Sequence, residues 1–391
     1  MIERIVITGM GVISAAGLNV PETLDAFAAG RRNVGAVPSG VSPLDFPVFA
    51  VRDLPAQTES SPSSRTFLLA CHALDEALTG AKLGRDLSAL RVGVCMGTTV
   101  ASQLNDMGFY TAFRQGGDVP MEPVEHFLKS NLADAIAREV RAAGPCVTVV
   151  NACSSSADAV GVAADWIRAG LCDLAIAGGA DELNRIPICG FGSLSVFSKE
   201  LCRPYDRDRQ GLNLGEGAGL LILESEASAR RRGVATSVFV AGYGAACDAH
   251  HLTAPRPDGS GLETALRTSL AEAGIQPQDV AFVNAHGTAT RDNDKVEGSV
   301  LARVFGPDIK VLSTKGFTGH TLGAAGALEA AFSVMALLSG WIPASPGFVN
   351  RDDEIPIGVV RERTTVTGRY AVSTSLAFGG NNAALVLGRD G

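Results

Sequence analysis

The sequence predicts an α/β protein assembled from two similar halves. Apolar runs of strand length alternate with longer helical segments along all 391 residues, a pattern typical of sheets covered by helices on both faces. The 45 glycines concentrate where the predicted strands end, and glycine permits a tight strand exit because it carries no Cβ atom. A weak internal duplication relates residues 91–98, RVGVCMGT, to residues 281–288, AFVNAHGT.

The predicted strands are short and apolar. They comprise residues 5–7, 92–94, 147–150, 174–176, 220–223, 238–240, 281–283, 311–312 and 384–386. A charged, alanine-rich helix is expected over 224–232, and we place the boundary between the halves after it, at 1–232 and 233–391. The polar tract 55–64 is predicted to be a surface loop, because it is rich in serine and proline.

Composition and charge exclude several function classes. The net charge of −8 and the absence of a basic run longer than 230–232 argue against nucleic acid, whose phosphates require a broad positive surface. We expect no membrane association and a cytoplasmic protein, because no uninterrupted apolar run reaches membrane-spanning length and no cleavage site precedes the first strand. The eight cysteines form no C-x-x-C pair and are expected to be reduced.

Cys153 lies at a predicted junction between a strand and a helix. Residues 149–157 read VVNACSSSA, and the helix that follows is expected to stop at Gly170. The free N–H groups and macrodipole of a helix N-terminus favour a thiolate and can hold an oxyanion. A buried inert cysteine is the commoner fate of this residue type, but the small residues around Cys153 favour a nucleophile in a crowded turn.

Two histidines occupy strand exits in the second half. His286 follows the strand 281–283, and His320 lies in the glycine-rich segment 313–326. Sites form at strand ends of α/β sheets, because polar side chains emerge there. Lys315 precedes His320, and Glu329 follows on an apolar helix, where we expect it to be buried with a partner, so a coupled charge cluster is predicted.

A thiolate and two neutral imidazoles suit a Claisen condensation. The sulfur takes an acyl group from a thioester, which divides the reaction into two steps of lower barrier. Imidazole N–H groups then stabilise the enolate that forms when a malonyl group loses carbon dioxide. This set of residue types is therefore suited to acyl transfer followed by carbon–carbon bond formation.

Five blocks of the sequence resemble β-ketoacyl synthases of the type II elongating class. They are 151–156 (NACSSS), 286–290 (HGTAT) with Asp294 and Glu297 after it, 313–326 (STKGFTGHTLGAAG), 203–208 with 215–219 (RPYDRD and GEGAG), and 378–382 (FGGNN). The resemblance runs from residues 8–14, TGMGVIS, to the final strand. Five blocks in matching order are far more specific than any one of them.

The resemblance implies roles for individual residues. Cys153 matches the family's nucleophile, and His286 and His320 match its two histidines. Lys315 and Glu329 match residues that organise charge in the family and do not attack the substrate.

The family also implies an oxyanion hole and a gate. Phe378 matches a mobile phenylalanine that controls access to the thiol, and its backbone N–H would join that of Cys153 in holding the acyl carbonyl oxygen. Asp294 belongs to the supporting residues of the His286 segment.

The implied reaction is the decarboxylative condensation of a Cys153-bound acyl group with malonyl-acyl carrier protein. Its product is β-ketoacyl-acyl carrier protein, in fatty acid or specialised polyene or polyketide biosynthesis. The substrates are carried on phosphopantetheine, so we expect no metal and no other cofactor. The implied fold is the five-layered αβαβα thiolase arrangement, usually in a homodimer, with a heterodimer as the alternative.

Related enzymes set the alternatives. A thiolase-type acyltransferase needs a second cysteine near the C-terminus, and none follows Cys247. An initiating synthase has a Cys-His-Asn set, against which Lys315 and His320 argue. A non-catalytic partner subunit of a heterodimeric ketosynthase loses the nucleophile, and a loading decarboxylase carries glutamine there, whereas Cys153 is present here.

Two local motifs suggest other ligands weakly. Gly9 and Gly11 superficially resemble a dinucleotide fingerprint, but the third glycine and the acidic residue are missing. Asp248, His250 and His251 could suggest a metal, but no further ligands accompany them, so a loop or tunnel role is favoured.

Departures from the family pattern concern substrate and partner. Arg291 and Asp292 stand where small or apolar residues are more usual and could alter the pantetheine approach. Arg65 falls near a region that contacts acyl carrier protein in the family. Arg203, Arg207 and Arg209 could meet an acidic protein or form a solvated loop with internal ion pairs. Guesses for the acyl tunnel are Phe109, Phe113, Phe191 and Phe197.

Overall fold

The computed structural model describes residues 3–37, 41–54, 64–100, 107–121, 124–125, 128 and 131–391. The predicted surface loop at 55–64 lies outside these residues except for Ser64. The strands are β1 (Ile5–Ser14), β2 (Val92–Gly97), β3 (Cys146–Val149), β4 (Leu174–Asp181), β5 (Gly217–Ser225), β6 (Val238–Cys247), β7 (Val280–Asn284), β8 (Lys310–Leu312), β9 (Trp341–Ile342), β10 (Gly358–Val359), β11 (Thr364–Thr365), β12 (Tyr370–Ala377) and β13 (Asn381–Arg389).

Helices of the described residues separate these strands. They are α1 (Val20–Ala29), α2 (Arg65–Gly80), α3 (Met107–Arg114), α4 (Leu132–Glu139), α5 (Ser155–Arg168), α6 (Arg185–Ser193), α7 (Glu226–Arg231), α8 (Ser260–Ala273), α9 (Arg291–Phe305), α10 (Lys315–Thr318) and α11 (Ala325–Ser339). Single 3-10 turns at Ala152–Ser154 and Leu322–Ala324 lead into α5 and α11.

The main sheet repeats one strand order twice. The first half runs β3-β2-β4-β5-β1 and the second runs β8-β7-β12-β13-β6, with β10 added beyond β8. Parallel and antiparallel pairings also match between the halves. The halves join where β1 meets β6, through Ile5 with Val240 and Val6 with Phe239. The chain therefore passes from the first half to the second between α7 and β6. The boundary between residues 232 and 233 stays a prediction.

Five layers follow from the helix contacts. Helices α2 and α4 cover the outer face of the first half-sheet, and α8, backed by α9, covers the outer face of the second. Helices α5 and α11 pack against each other between the half-sheets, within an apolar core that draws residues from both halves. The predicted αβαβα fold of two duplicated halves is confirmed.

The helix α11 belongs to this central layer. Among the described residues, the segment Leu322–Ser339 is apolar enough to cross a membrane, with a mean hydropathy of 1.6, but 89% of it is buried inside the protein. It packs on β5 and β12. This burial is that of a core helix, whose apolar surface is covered by the two half-sheets.

Strand β12 was not predicted from the sequence. Its centre carries Ser373, Thr374 and Ser375, all buried, so the apolar run that marks the other strands is interrupted. The buried hydroxyl of Thr374 donates to Glu297 over 2.6 Å, which offsets the loss of hydration. A strand that supports a polar site is thus hidden from a search for apolar runs.

Candidate active site

Cys153, the predicted nucleophile, lies on a tight turn between β3 and α5. Ala152, the residue before Cys153, has a φ of 49°, a left-handed conformation that is unfavourable for an L-residue with a Cβ atom. The turn packs so closely on β2 that a Cβ atom added to Gly97 would lie 2.3 Å from the backbone nitrogen of Ser156. Cys153 is buried, with 5% of its surface exposed. The crowded turn expected from the small residues is therefore present.

His286 follows β7 and is held through its backbone. Glu297, on α9, accepts hydrogen bonds from the backbone N–H groups of His286 over 2.8 Å and of Gly287 over 2.9 Å. Asp294, one turn earlier, accepts from the backbone N–H groups of Ala289 over 3.1 Å and Tyr205 over 2.7 Å. Asp294 and Glu297 therefore fix the path of the loop that presents the imidazole.

His320 reaches the sulfur from the loop after α10. Its Nε2 atom lies 3.0 Å from the Sγ atom of Cys153. The rings of His286 and His320 are nearly perpendicular, with centroids 5.2 Å apart. One ligand atom from each of the three side chains lies within 4.8 Å of the others. Groups far apart in sequence thus converge at one point.

Lys315 and Glu329 form a buried pair beside His286. The Nζ atom of Lys315 lies 3.1 Å from Nδ1 of His286 and donates to a carboxylate oxygen of Glu329. Both side chains are nearly inaccessible to solvent. Because an ammonium group only donates, Nδ1 must accept, and the proton of neutral His286 resides on Nε2. Lys315 therefore presets His286 as a hydrogen-bond donor.

His320 has a different environment. Its Nδ1 atom is buried and has no hydrogen-bond partner among the described residues. The contacts of the described residues therefore do not fix the proton on Nδ1 or on Nε2 of His320, and Nε2 faces the thiol. The two imidazoles are thus not equivalent.

Burial is the largest influence on the pKa values of Cys153, His286 and His320. It raises the pKa of Cys153 to about 12, with Lys315 and the backbone N–H of Phe378 acting in the opposite direction. Burial, followed by the charge of Lys315, lowers the pKa of both His286 and His320 well below 6.5. The resting site therefore holds a neutral thiol and neutral imidazoles. The thiolate expected from the helix N-terminus is outweighed by the loss of hydration.

The neighbouring carboxyl groups show the same effect of burial. The pKa of Glu329 is raised to about 7, although Lys315 opposes the shift. The pKa of Asp294 is raised to about 6 against the hydrogen bonds that it accepts.

A cavity of about 310 Å³ opens onto the sulfur and both imidazoles. Phe378 and Phe191 line it with stacked rings whose centroids are 5.2 Å apart. The backbone N–H of Phe378 acts to lower the pKa of Cys153, so the predicted gate residue lies beside the thiol. The thiol is consequently buried but reachable along a defined route.

The outer wall of this cavity is polar. The hydroxyls of Thr288 and Thr290 lie 2.9 Å apart on it. Arg291 and Asp292, the residues that depart from the family pattern, also line it and are exposed. A polar chain entering the cavity would therefore pass them.

Two carboxylates at the site were not singled out in the sequence. Asp181 ends β4 and accepts from the backbone N–H groups of Val100 over 2.9 Å and Gly323 over 2.6 Å, which ties the two halves together beside the turn of Cys153. Asp158 lies on α5, directly behind that turn. Asp181 could have been found because it closes an apolar strand, where side chains reach the edge of the sheet.

Three of the four residues suggested for the acyl tunnel do not line the cavity that opens onto the sulfur. Phe113 is 57% exposed and stacks on Phe109. Phe197 stacks on Phe46, with centroids 3.9 Å apart. Of the four guesses, Phe191 is the one that lines the described cavity.

The arginines considered for a docking patch are largely engaged in ion pairs. Arg209 is buried and pairs with Asp352, so it contributes no surface charge. Arg65 binds the buried carboxylate of Glu216 over 2.6 Å. Arg207 keeps 62% of its side chain exposed. The alternative of internal ion pairs, weighed for Arg203, Arg207 and Arg209, therefore agrees with the contacts of all three, because Arg203 pairs with Glu200 and Arg207 with Asp208.

The two weak ligand motifs have structural explanations. Cβ atoms added to Gly9 and Gly11 would lie 2.0 Å and 1.9 Å from backbone oxygens of α2, so these glycines permit helix packing. The Nδ1 atom of His251 accepts from two backbone N–H groups of its own loop. Asp248 accepts from Asn382 over 2.9 Å.

Comparisons with known proteins agree over the whole chain. Residues 2–229 match the family model of the N-terminal domain of β-ketoacyl synthases, and residues 238–349 match that of the C-terminal domain. The chain is 33% identical over 408 residues to 3-oxoacyl-[acyl-carrier-protein] synthase 2 of Staphylococcus aureus (strain N315), covering 98% of each protein.

Solved structures give the same result. The ishigamide ketosynthase/chain length factor is 32% identical with a TM-score of 0.91, and a β-ketoacyl synthase of Burkholderia phymatum STM815 is 31% identical with a TM-score of 0.92. Each comparison covers 100% of both chains.

Proposed function

Because the chain belongs to the β-ketoacyl synthase family, we propose that Cys153, His286 and His320 perform the acyl transfer and condensation that define it. The chain is an acyltransferase that catalyses ketoacyl synthase condensation. The observation that carries the residue assignment is the approach of one sulfur and two imidazole nitrogens to within 4.8 Å. The hydrogen bonds of each of these side chains indicate its role in the two steps of the reaction.

The first step transfers the acyl group to Cys153. The thiol gives its proton to Nε2 of His320, 3.0 Å away, as sulfur attacks the thioester carbonyl. The tetrahedral oxyanion is held by the backbone N–H groups of Cys153 and Phe378. The carrier thiolate leaves and takes the proton from His320, so the products are acyl-Cys153 and a free carrier thiol.

The second step forms the new carbon–carbon bond. The malonyl thioester loses carbon dioxide, and its carbonyl oxygen becomes an enolate held by Nε2–H of His286 and Nε2–H of His320. The enolate carbon attacks the acyl carbonyl on Cys153, and the sulfur departs as a thiolate. A proton from solvent restores the thiol. Neutral imidazoles suit this step because they already carry donors without adding charge to a buried site.

Lys315 acts on His286 and not on the substrate. Its ammonium group donates a hydrogen bond to Nδ1 of His286. The proton of the imidazole therefore stays on Nε2, which faces the position of the enolate oxygen. Glu329 balances the buried charge of Lys315. Lys315 and Glu329 are therefore positioning residues.

The substrates of these steps are proposed to be thioesters of phosphopantetheine on acyl carrier protein. The name of the Staphylococcus aureus relative includes this carrier. The polar wall formed by Thr288 and Thr290 suits an arm with amide groups. No step uses a metal ion or an organic cofactor, and we propose the cytoplasm as the location.

We propose a dimer that uses the edge strand β3. Val147 and Val150, at this edge, are 44% and 50% exposed, and Tyr110 and Phe113 are also exposed. An unpaired apolar edge favours association. A homodimer is the first expectation. A related partner subunit is the alternative, because one structural relative is a ketosynthase with a chain length factor.

Intact mass measurement tests the proposed function. The purified chain is incubated with acyl carrier proteins that bear acyl chains of different length, and an acyl adduct on Cys153 is expected. Cys153→Gln is expected to block condensation but to leave some malonyl decarboxylation, because the histidines remain.

Two outcomes would contradict the proposal. One is the absence of an adduct from every donor, whether the chain is tested alone or with a partner subunit. The other is the loss of malonyl decarboxylation in a folded Cys153→Gln variant. Light scattering of the purified chain distinguishes the homodimer from a chain that needs a partner.

A further inference from the structure

Asp158 is a buried carboxylate that the proposed reaction does not use. It lies on α5 with 5% of its surface exposed. Burial raises its pKa, and its hydrogen bonds oppose that shift. Burying a carboxylate beside neutral groups costs several kcal/mol, so its presence next to the nucleophile turn requires an explanation.

Its partners flank Cys153. One carboxylate oxygen of Asp158 accepts from the side-chain amide of Asn151 over 2.9 Å and from the hydroxyl of Ser154 over 2.8 Å. The other oxygen accepts from the hydroxyl of Tyr243 over 2.8 Å. Asn151 precedes Ala152 and Cys153 in the chain and Ser154 follows them, so the carboxylate binds the turn on both sides of the nucleophile.

The turn around Ala152 has a strained backbone that its surroundings must stabilise. Ala152 has a φ of 49°, and a left-handed non-glycine residue persists only where its surroundings enforce it. Tyr243 lies on β6, in the other half of the fold, and Gly161 makes room for it, because a Cβ atom there would lie 2.3 Å from the Tyr243 ring. The carboxylate therefore anchors the turn to a rigid strand across the central layer.

The second half provides an internal comparison. The turn before α11 has the same shape, and Leu322, with a φ of 55°, corresponds to Ala152. The residue that corresponds to Asp158 is Leu328, which is buried in apolar contacts. The fold thus accepts a leucine at this position in the half that lacks the nucleophile.

We propose that Asp158 is a positioning residue for Cys153, which holds the sulfur in line with His320 through Asn151, Ser154 and Tyr243. The inference rests on the proposed function, because it concerns the acylation step. It predicts that Asp158 matters for reactions of the sulfur and not for malonyl decarboxylation, which uses the imidazoles. A residue that served only stability would affect both alike.

The test compares Asp158→Asn with wild type. Asparagine keeps the size but replaces one acceptor oxygen by an NH₂ group, so either a donor on that side loses its acceptor or the Tyr243 hydroxyl must turn and accept. Acylation of Cys153 by an acyl carrier protein and alkylation by iodoacetamide are each expected to slow by about 10- to 100-fold. Malonyl decarboxylation, measured in the Cys153→Gln background with and without Asp158→Asn, is expected to be unchanged.

Two further variants complete the test. Asp165→Asn, on the exposed side of the same helix, is the matched control and should leave both reactions of the sulfur unchanged. Tyr243→Phe removes one donor and keeps the ring, so acylation should fall by about two- to tenfold. Tyr243→Phe decides the question if Asp158→Asn does not fold.

The results separate the two proposals. A wild type that accepts no acyl group contradicts the proposed function itself. A wild type that is acylated, with variants that react at the same rate, contradicts only the role of Asp158. An equal decrease in acylation and decarboxylation also overturns that role, because it indicates a general structural effect.

Discussion

The turn before α5 and the turn before α11 have the same backbone but different chemistry. Ala152 and Leu322 both have left-handed φ values, of 49° and 55°, and each begins a 3-10 turn that leads into a buried helix. The residue after Ala152 is the nucleophile Cys153, whereas the residue after Leu322 is Gly323. The repeated backbone therefore positions a reactive side chain in one half and a close backbone contact in the other.

The charges of the two helices differ as well. Asp158 on α5 is held by neutral donors, whereas Glu329 on α11 is paired with the ammonium group of Lys315. The half that provides the sulfur leaves it as a neutral thiol, and the half that provides the imidazoles adds a fixed positive charge beside them. The two helices therefore occupy equivalent places in the fold but carry their buried carboxylates at different positions, since Leu328 corresponds to Asp158.

Removal of the positive charge of Lys315, in the second half, should have the largest effect on stability and activity. Lys315→Met leaves Glu329 buried without its partner, so the free energy of unfolding should fall by about 3–5 kcal/mol. The condensation rate should fall by about 100-fold, because His286 loses the group that orients it. Chemical denaturation and single-turnover condensation measure these effects.

Two variants serve as controls for Lys315→Met. Lys310→Met, on the exposed side of nearby β8, should change neither quantity. The double variant Lys315→Met/Glu329→Leu should recover stability but not activity. Full activity of the double variant would show that the pair has no part in orienting His286.

A smaller loss of stability is expected from a side chain added at Gly323, because the second turn has less room at this position than the first turn has at Cys153. A Cβ atom on Gly323 would lie 2.7 Å from the backbone nitrogen of Thr99 and 2.8 Å from a carboxylate oxygen of Asp181. Gly323→Ala should therefore lower the free energy of unfolding by about 1–3 kcal/mol, as measured by chemical denaturation. Gly84→Ala is the control, because no atom lies within 4 Å of its added Cβ. Equal stability of both variants would mean that the second turn tolerates a side chain as the first does.

The smallest expected effect concerns pH. Burial and the charge of Lys315 lower the pKa of His286 and His320 well below 6.5, so both rings stay neutral as the pH falls through the range where an exposed histidine gains a proton. The ring C–H NMR signals of His286 and His320 in the Cys153→Gln variant should therefore show no protonation step from about pH 8 to about pH 6, whereas the carboxyl group of Glu329, whose pKa is raised to about 7, titrates in this range. A protonation step of either ring near the ordinary histidine pKa would contradict the burial of the pair.

The sequence predicts three side chains that the structure brings together. Cys153, His286 and His320 each follow a strand exit marked by glycine or other small residues, and the two-fold pattern of the chain is visible in matching segments. Local rules sufficed here because strand exits and tight turns depend on neighbouring residues. The missed strand β12 shows where such rules fail, because its buried Thr374 depends on Glu297, a partner that is distant in the chain.

The residue types, their order and the family were thus determined by the sequence, because these depend on local pattern and on motifs of matching order. Tertiary structure alone decided the protonation states and the supports. Burial raises the pKa of Cys153 to about 12, whereas the helix N-terminus on its own predicts a thiolate. The positions of Asp158, Asp181 and Tyr243 follow from packing between the two halves, and hydration lost in that packing depends on contacts that no short segment contains.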